Sequence, residues 1–240
     1  MSTKSTSTDM VTNADRASEA LIVDHIRTAR PTDLFLAEEG TGVSTETVAG
    51  SAEAAADRIT WIIDPIDGTT NFVYGLPGWA VSIAAMSAGQ VVAGVVVDIS
   101  HGDEFVATLG GGATRNDRPL RLAEPPPLER ALVATGFGYD PARRALQAAT
   151  LTTVLPRVRD IRRLGAAAVD LCSVACGRVD AYYEWGLAPW DYAAGALVAR
   201  EAGARVAQLD GGPLAPDGRV VAAHPVLWEP LATLLLEARA

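Results

Sequence analysis

Apolar residues at positions 14, 17, 21, 22, 26 and 29 recur at helical spacing, which predicts a helix over 14–29. Thr12 and Asp15 form a capping-box pair at its start, and Pro31 stops it. Residues 34–37 make a short apolar strand that runs into Glu38-Glu39. Residues 1–10 read as a loose polar tail. Residues 40–57, rich in Gly, Ser, Thr and Ala, read as a surface excursion. A β-rich block follows, with strands over 59–63, 79–86, 91–97 and 104–109. Turns at Ala88-Gly89-Gln90 and His101-Gly102-Asp103 are short enough to imply an antiparallel meander.

Pro125-Pro126-Pro127 marks the best boundary, dividing the chain into 1–127 and 128–240. Beyond it the pattern alternates. Strands over 131–135, 160–164, 179–184 and 220–223 precede helices over 142–155, 166–176, 191–202 and from 225 to the end. The first half is therefore α+β around an antiparallel sheet. The second is α/β with a mixed or parallel sheet.

With 240 residues, 49% of them hydrophobic, the chain can bury a core without staples. Cys172 and Cys176 are the only cysteines, which excludes a disulfide framework and a four-cysteine zinc site; they read as free core thiols. No apolar run approaches the roughly 18 residues that span a bilayer, and MSTKSTSTDM has no apolar leader, so a cytoplasmic protein without a membrane partner is expected. Acidic residues outnumber basic ones by 29 to 20, and the whole net charge of −9 lies in 1–127. That balance lacks the basic footprint of a nucleic-acid binder.

Three segments put carboxylates at the ends of predicted elements: Glu38-Glu39, Asp64-Pro65-Ile66-Asp67-Gly68-Thr69, and Trp190-Asp191. Such ends are where α/β proteins place sites. Taken singly, each has a bland reading. Asp191 is a helix N-cap, Asp64 and Asp67 are turn formers, Glu38-Glu39 is a solvated pair and Asp15 is a capping acid. Together they suggest more. Carboxylates gathered in one cleft cannot all ionise without a cation. Oxygen donors with no nearby His or Cys select Mg2+ or Mn2+ over Zn2+. His25, His101 and His224 are scattered without ligand spacing. Gly110-Gly111-Gly112 reads as a loop and not as a phosphate cradle, Trp190 as packing, and Tyr182-Tyr183 as strand packing.

The string Trp61-Ile62-Ile63-Asp64-Pro65-Ile66-Asp67-Gly68-Thr69-Thr70-Asn71-Phe72 resembles the inositol monophosphatase family, within the wider metal-dependent, lithium-sensitive phosphatases. Asp9-Met10-Val11-Thr12-Asn13-Ala14-Asp15, Glu38-Glu39, Gly165-Ala166-Ala167-Ala168, Tyr182-Tyr183-Glu184 and Trp190-Asp191-Tyr192-Ala193-Ala194-Gly195 extend the resemblance over nearly the whole chain. It implies a layered αβαβα sandwich and Mg2+-dependent hydrolysis of a small phosphorylated polyol, inositol monophosphate above all, by a metal-activated water. Sugar phosphates, histidinol phosphate and fructose bisphosphate are the alternatives, as is a regulatory scaffold that keeps the fold without catalysis. By the same resemblance, Glu38, Asp64 and the Ile66 carbonyl hold a first ion. Asp64 bridges to a second ion held by Asp67 and Asp191. Glu38 and Thr69 orient the attacking water, with Asp64 counted among the catalytic groups. Gly68 and Thr69 contact phosphate. Glu184 and the backbone near Ala167 hold the alcohol part, and Asp67 and Asp191 also bind substrate. Asp15 and Lys4 tune the site from outside, and Glu39 supports the ligands. A homodimer is implied. The resemblance also implies a helix ahead of Asp9, where only the polar tail stands: either the start is placed late, or the helix is absent and an apolar face on the neighbouring elements is expected to be exposed. Ala166 stands where a hydroxyl residue is common, which would weaken a substrate contact.

Overall fold

A computed structural model describes residues 2–3, 10–40 and 58–238. Lys4, Asp9 and nearly all of the expected excursion over 40–57 lie outside the described residues. Within the expected loose tail, β1 (Ser2–Thr3) and β2 (Met10–Val11) pair antiparallel. Helix α1 (Asn13–Ala29) carries the expected capping box: the Thr12 hydroxyl accepts from the Ala14 and Asp15 amides, and Asp15 Oδ2 accepts from the Thr12 amide at 2.8 Å.

The first sheet runs in spatial order through β3 (Leu34–Ala37), β4 (Thr60–Asp67), β5 (Ala80–Ser87), β6 (Gln90–Asp98), β7 (Asp103–Thr108), β8 (Gly112–Arg115) and β9 (Arg118–Pro119). β4 to β7 form the expected antiparallel meander, and β3, which lies outside it, runs parallel to β4. Antiparallel partners can meet through tight turns, whereas β3 and β4 are separated by residues 38–59, long enough for a crossover. β8 and β9 escape the sequence pattern because Gly112–Arg115 is short and polar and Arg118–Pro119 has two residues. β4 runs four residues beyond the expected end at 63. Ile66 continues its apolar, buried face past Pro65, so Asp64 and Asp67 lie within the strand and not after it.

The second sheet has the order β11 (Asp160–Arg162), β10 (Leu132–Thr135), β12 (Ala181–Trp185), β14 (Arg219–Ala223), β13 (Arg205–Gln208). β10 is parallel to both neighbours, and β14 is antiparallel to both of its own. The expected mixed pairing is observed. β13 was hidden by its short Arg-Val-Ala-Gln sequence.

Tyr182 and Tyr183 show how the layers stack. Strand geometry sends neighbours to opposite faces, and both rings are buried, at 0% and 4% exposure. A strand hydrophobic on both faces needs cover on both. On one side Tyr182, Val206 and Ala222 meet α4 (Ala167–Ala175) and α5 (Pro189–Glu201), whose Leu171, Val174, Leu197 and Val198 also meet Ile62, Val96 and Phe105 of the first sheet. On the other, Tyr183 and Val221 meet Val154 of α3 (Pro141–Val154) and Leu227, Trp228 and Leu231 of α6 (Pro225–Glu237). Val23 of α1 packs with Phe35 and Ile63 on the outer face of the first sheet. The order is thus α1, sheet, α4 with α5, sheet, α3 with α6: the αβαβα sandwich. Short α2 (Thr69–Tyr74) follows β4.

α5 is buried from Tyr192 to Ala199 on all sides, and its small residues let it lie against the first sheet. A Cβ on Gly94 of β6 would stand 3.0 Å from the Ala194 Cα. Among the described residues no helix is long and apolar enough to cross a membrane.

Leu171 is fully buried between the sheets. Leu171→Ala is expected to cost about 2–5 kcal/mol of unfolding free energy, read from the denaturant midpoint at constant slope.

Candidate active site

The two acids of β4 owe their placement to a fault in its pairing. Asp64 faces Ser82 and Asp67 faces Ala80 across β5, with a register shift between them. Pro65 has no amide to give to the ladder, and a bulge there re-aims the side chains around it. The Ile66 amide donates to Asp64 Oδ1 at 3.0 Å. The strand ends at Gly68, whose φ of 89° lies in the left-handed region and where a Cβ would stand 2.7 Å from the Gly78 carbonyl oxygen. Only glycine fits both conditions. Thr69 opens α2, and no side chain caps that helix. The Thr69 hydroxyl lies 3.1 Å from Asp15 Oδ1 and 3.0 Å from the Ile66 carbonyl oxygen, so its one proton is shared between them.

α1 supports this region from behind. Asp15 and Glu19 are four residues apart on its buried face, both at 0% exposure. Asp15 holds Thr69, and Glu19 Oε2 accepts from the Glu39 amide at 2.7 Å. Asp15 is therefore both the helix cap expected from sequence and a contact of the Thr69 hydroxyl. Glu19 was not foreseen; its only trace in the sequence is an acid at a core-facing helical position.

The second half supplies the opposite wall. Ala168 at the start of α4 donates its amide to Asp67 Oδ2 at 2.7 Å. Asp191 lies in the first turn of α5, two residues past Pro189, and accepts from the Ala188 amide at 2.7 Å. It is thus a first-turn acid, not the N-cap expected of it alone; Ala188 holds the cap position. Glu184, near the end of β12, accepts from the Tyr182 hydroxyl at 2.8 Å.

Glu38, Asp64, Ile66, Asp67, Gly68, Thr69, Ala167, Glu184 and Asp191 all line one cavity of about 500 Å³, the size of a small-molecule site. Phe137, Tyr139, Arg143 and Arg163 complete it. Neither arginine was foreseen: each is half of an Arg-Arg pair, Arg143-Arg144 and Arg162-Arg163, that matches no motif. The Gly110–Gly112 loop lies elsewhere, and its Gly110 and Gly112 amides are taken by the Glu201 carboxylate at 2.8 Å each. His101 pairs with Asp98, and His224 caps α6 through Nδ1.

Burial and crowding set the acidities. Burial first, then the charges of Glu38, Asp67 and Asp191, hold the Asp64 carboxyl well above the usual carboxylate range. Burial pushes Asp67 up to about 8, against the pull of the Ala168 and Ala167 amides. Asp191 is pushed well up by burial and by Asp67. Glu184 rises to about 7 through burial, with Tyr182 and Arg163 pulling it down. Among the described residues no Lys or Arg forms an ion pair with Asp64, Asp67 or Asp191. Four carboxylates (Glu38, Asp64, Asp67 and Asp191) and the Ile66 carbonyl on one cavity are an oxygen donor set suited to a hard divalent ion. No three of them already close around a single point, among the described residues. What marks the set is the shared cavity and the burial that raises Asp64, Asp67 and Asp191.

The family model described as "Inositol monophosphatase family" matches residues 1–240, and the chain belongs to that family. The "Inositol-1-monophosphatase SuhB" of Mycobacterium tuberculosis is 50% identical over 207 residues, 85% of this chain and 70% of that protein. The "Nus factor SuhB" of Escherichia coli K12 is 41% identical over 224 residues, 91% of this chain and 79% of that protein. Among solved structures, the extragenic suppressor protein suhB of Bartonella henselae superposes with a TM-score of 0.87 at 37% identity, covering 98% of this chain and 87% of that one.

The raised acids make a pH prediction. The folded state holds protons on Asp67 and Glu184 more tightly than the unfolded chain does, so their contribution is complete below the ordinary carboxylate range of about 4. It is lost as pH rises through about 7 for Glu184 and about 8 for Asp67. In chelator, the melting temperature should fall between roughly pH 5 and 8.5. Asp67→Asn should flatten that fall, and Mg2+ should restore the wild type at the alkaline end.

Proposed function

We propose that this protein hydrolyses a small phosphate monoester with Mg2+, for which Mn2+ can substitute. Inositol monophosphate is the leading substrate, ahead of related sugar phosphates, histidinol phosphate and fructose bisphosphate. The observation that carries this reading is the gathering of Glu38, Asp64, Asp67 and Asp191 on one ligand-sized cavity, with no Lys or Arg ion pair to Asp64, Asp67 or Asp191 among the described residues. Glu38, Asp64, Asp67, Asp191 and the Ile66 carbonyl would hold divalent ions, with Asp64 serving both. Bound ions would reverse the sign of the cleft, admit a phosphate that the bare acids repel, and acidify water.

The protein groups then have distinct tasks. Glu38 takes up the proton of the attacking water. The Thr69 hydroxyl, with Asp15 and the Ile66 carbonyl as its acceptors, fixes that water's approach. The free amides after Gly68 receive phosphate oxygens. Glu184 and the Ala167 backbone face the alcohol part, with the Tyr182 hydroxyl holding Glu184 in place. None of the cavity's residues is a Cys or His that could carry a phosphoryl group, which supports direct attack by water.

A second reading has support of its own. Several relatives about as similar as the E. coli protein bear the name Nus factor SuhB, which favours a partner-binding role in which the fold matters more than turnover. Phosphate release from a panel of monoesters, with and without Mg2+, separates the two. Release that needs Mg2+ supports the enzyme, and no release from any ester supports the scaffold. Asp64→Asn should lower kcat at least about a thousandfold, the scale of losing a principal electrostatic contact, while the melting temperature holds or rises. Near-normal turnover would remove Asp64 from the ligand set. Lithium is expected to inhibit the wild type.

A further inference from the structure

Asn71 has no part in the chemistry above, yet it is buried, at 8% exposure, where the two halves of the chain cross beside the cleft. Its Nδ2 donates to the Leu164 carbonyl oxygen at 2.6 Å and to the Gly78 carbonyl oxygen at 2.7 Å. An amide nitrogen has two protons, and both are used. Two carbonyl acceptors also fix which way the amide faces, since its oxygen could bond neither.

The crossing has a second tie. Asp67, four residues before Asn71, accepts from Ala168, four residues after Leu164. Segment 67–71 therefore grips segment 164–168 at both ends, in opposite directions. One grip is a carboxylate already assigned to the ligand set. The other is a neutral amide with no other duty.

The space around this crossing is tight. A Cβ on Gly165 would stand 2.9 Å from Asn71 Nδ2, and one on Gly78 would stand 2.9 Å from the Leu164 carbonyl oxygen. The Gly78 amide in turn donates to the Ser100 hydroxyl at 2.7 Å. The far end of the clamp is thus anchored in the first sheet's β6–β7 turn.

We propose that Asn71 is a positioning residue: by holding Leu164 and Gly78 it fixes the first turn of α4 against β4, and so sets the direction of the Asp67 carboxylate. Without it, the Ala168 amide is Asp67's tie to a segment free to shift. This rests on Asp67 belonging to the ion site, but part of its test does not depend on turnover.

The distinguishing comparison is Asn71→Asp against Asn71→Ala. If Asn71 only filled space, the isosteric aspartate would be tolerated and alanine would be worse. If its two N–H donors matter, aspartate is at least as harmful, because it sets a carboxyl against two carbonyl oxygens. Three readouts apply to the full chain. Amide exchange at Ala168 should speed up at least tenfold in both variants, under conditions where global stability exceeds that opening. Mn2+ binding by calorimetry should weaken at least tenfold. The Mg2+ concentration for half-maximal turnover should rise by a similar factor, with less change in the KM for ester. Unchanged exchange at Ala168 and unchanged Mn2+ affinity in Asn71→Asp overturn the proposal. So does failure of both variants to fold, which would make Asn71 a support of the whole chain. A wild type that releases no phosphate defeats the phosphatase reading instead, and the exchange result still decides Asn71.

Discussion

Carboxylates crowded out of water around one cavity are the constraint from which the rest of the molecule follows. Each ionised acid loses hydration on burial and gains like-charged neighbours, and both effects favour the neutral form. Hydrogen bonds from Ile66, Ala168 and Ala188 relieve part of this at Asp64, Asp67 and Asp191. They are neutral backbone donors and cannot balance a charge. The surrounding scaffold must therefore hold the acids in place against their own repulsion. The β4 bulge, the buried face of α1 and the starts of α4 and α5 all serve that end.

The scaffold achieves this with small residues. Ala166, Ala167 and Ala168 open α4, and Ala193, Ala194, Gly195 and Ala196 follow Asp191 in α5. Side chains this small bring helix starts close to the strand that carries Asp64 and Asp67. Close approach is what lets an amide of one half reach a carboxylate of the other at 2.7 Å.

Much of this was legible in the sequence because the signals were local. α1 announced itself by its apolar spacing and its Thr12–Asp15 cap. Asp64, Ile66, Asp67, Gly68 and Thr69, with Glu38, Glu184 and Asp191, do share one cavity. What stayed hidden depended on distant partners. Nothing near Gly112–Arg115 or Arg205–Gln208 indicates that a neighbouring strand will pair with it. Glu19 reads as a stray acid until Glu39 is folded against it. Asn71 reads as one polar residue after a turn, because Leu164 is 93 positions away. Arg143 and Arg163 belong to no motif. The parallel β3–β4 pair was missed because its crossover has no periodic pattern of its own.

The middle layer carries one more implication. α4 and α5 arise after the three prolines, yet they fill the inner face of the sheet that precedes them. Neither sheet owns the material that covers that face. Cutting the chain at residues 125–127 would strip an alanine- and leucine-rich surface on one side and leave the other without its lining. Evolution could lengthen the loops or decorate the edges of such a molecule, but it could not lend out half of it as a separate module.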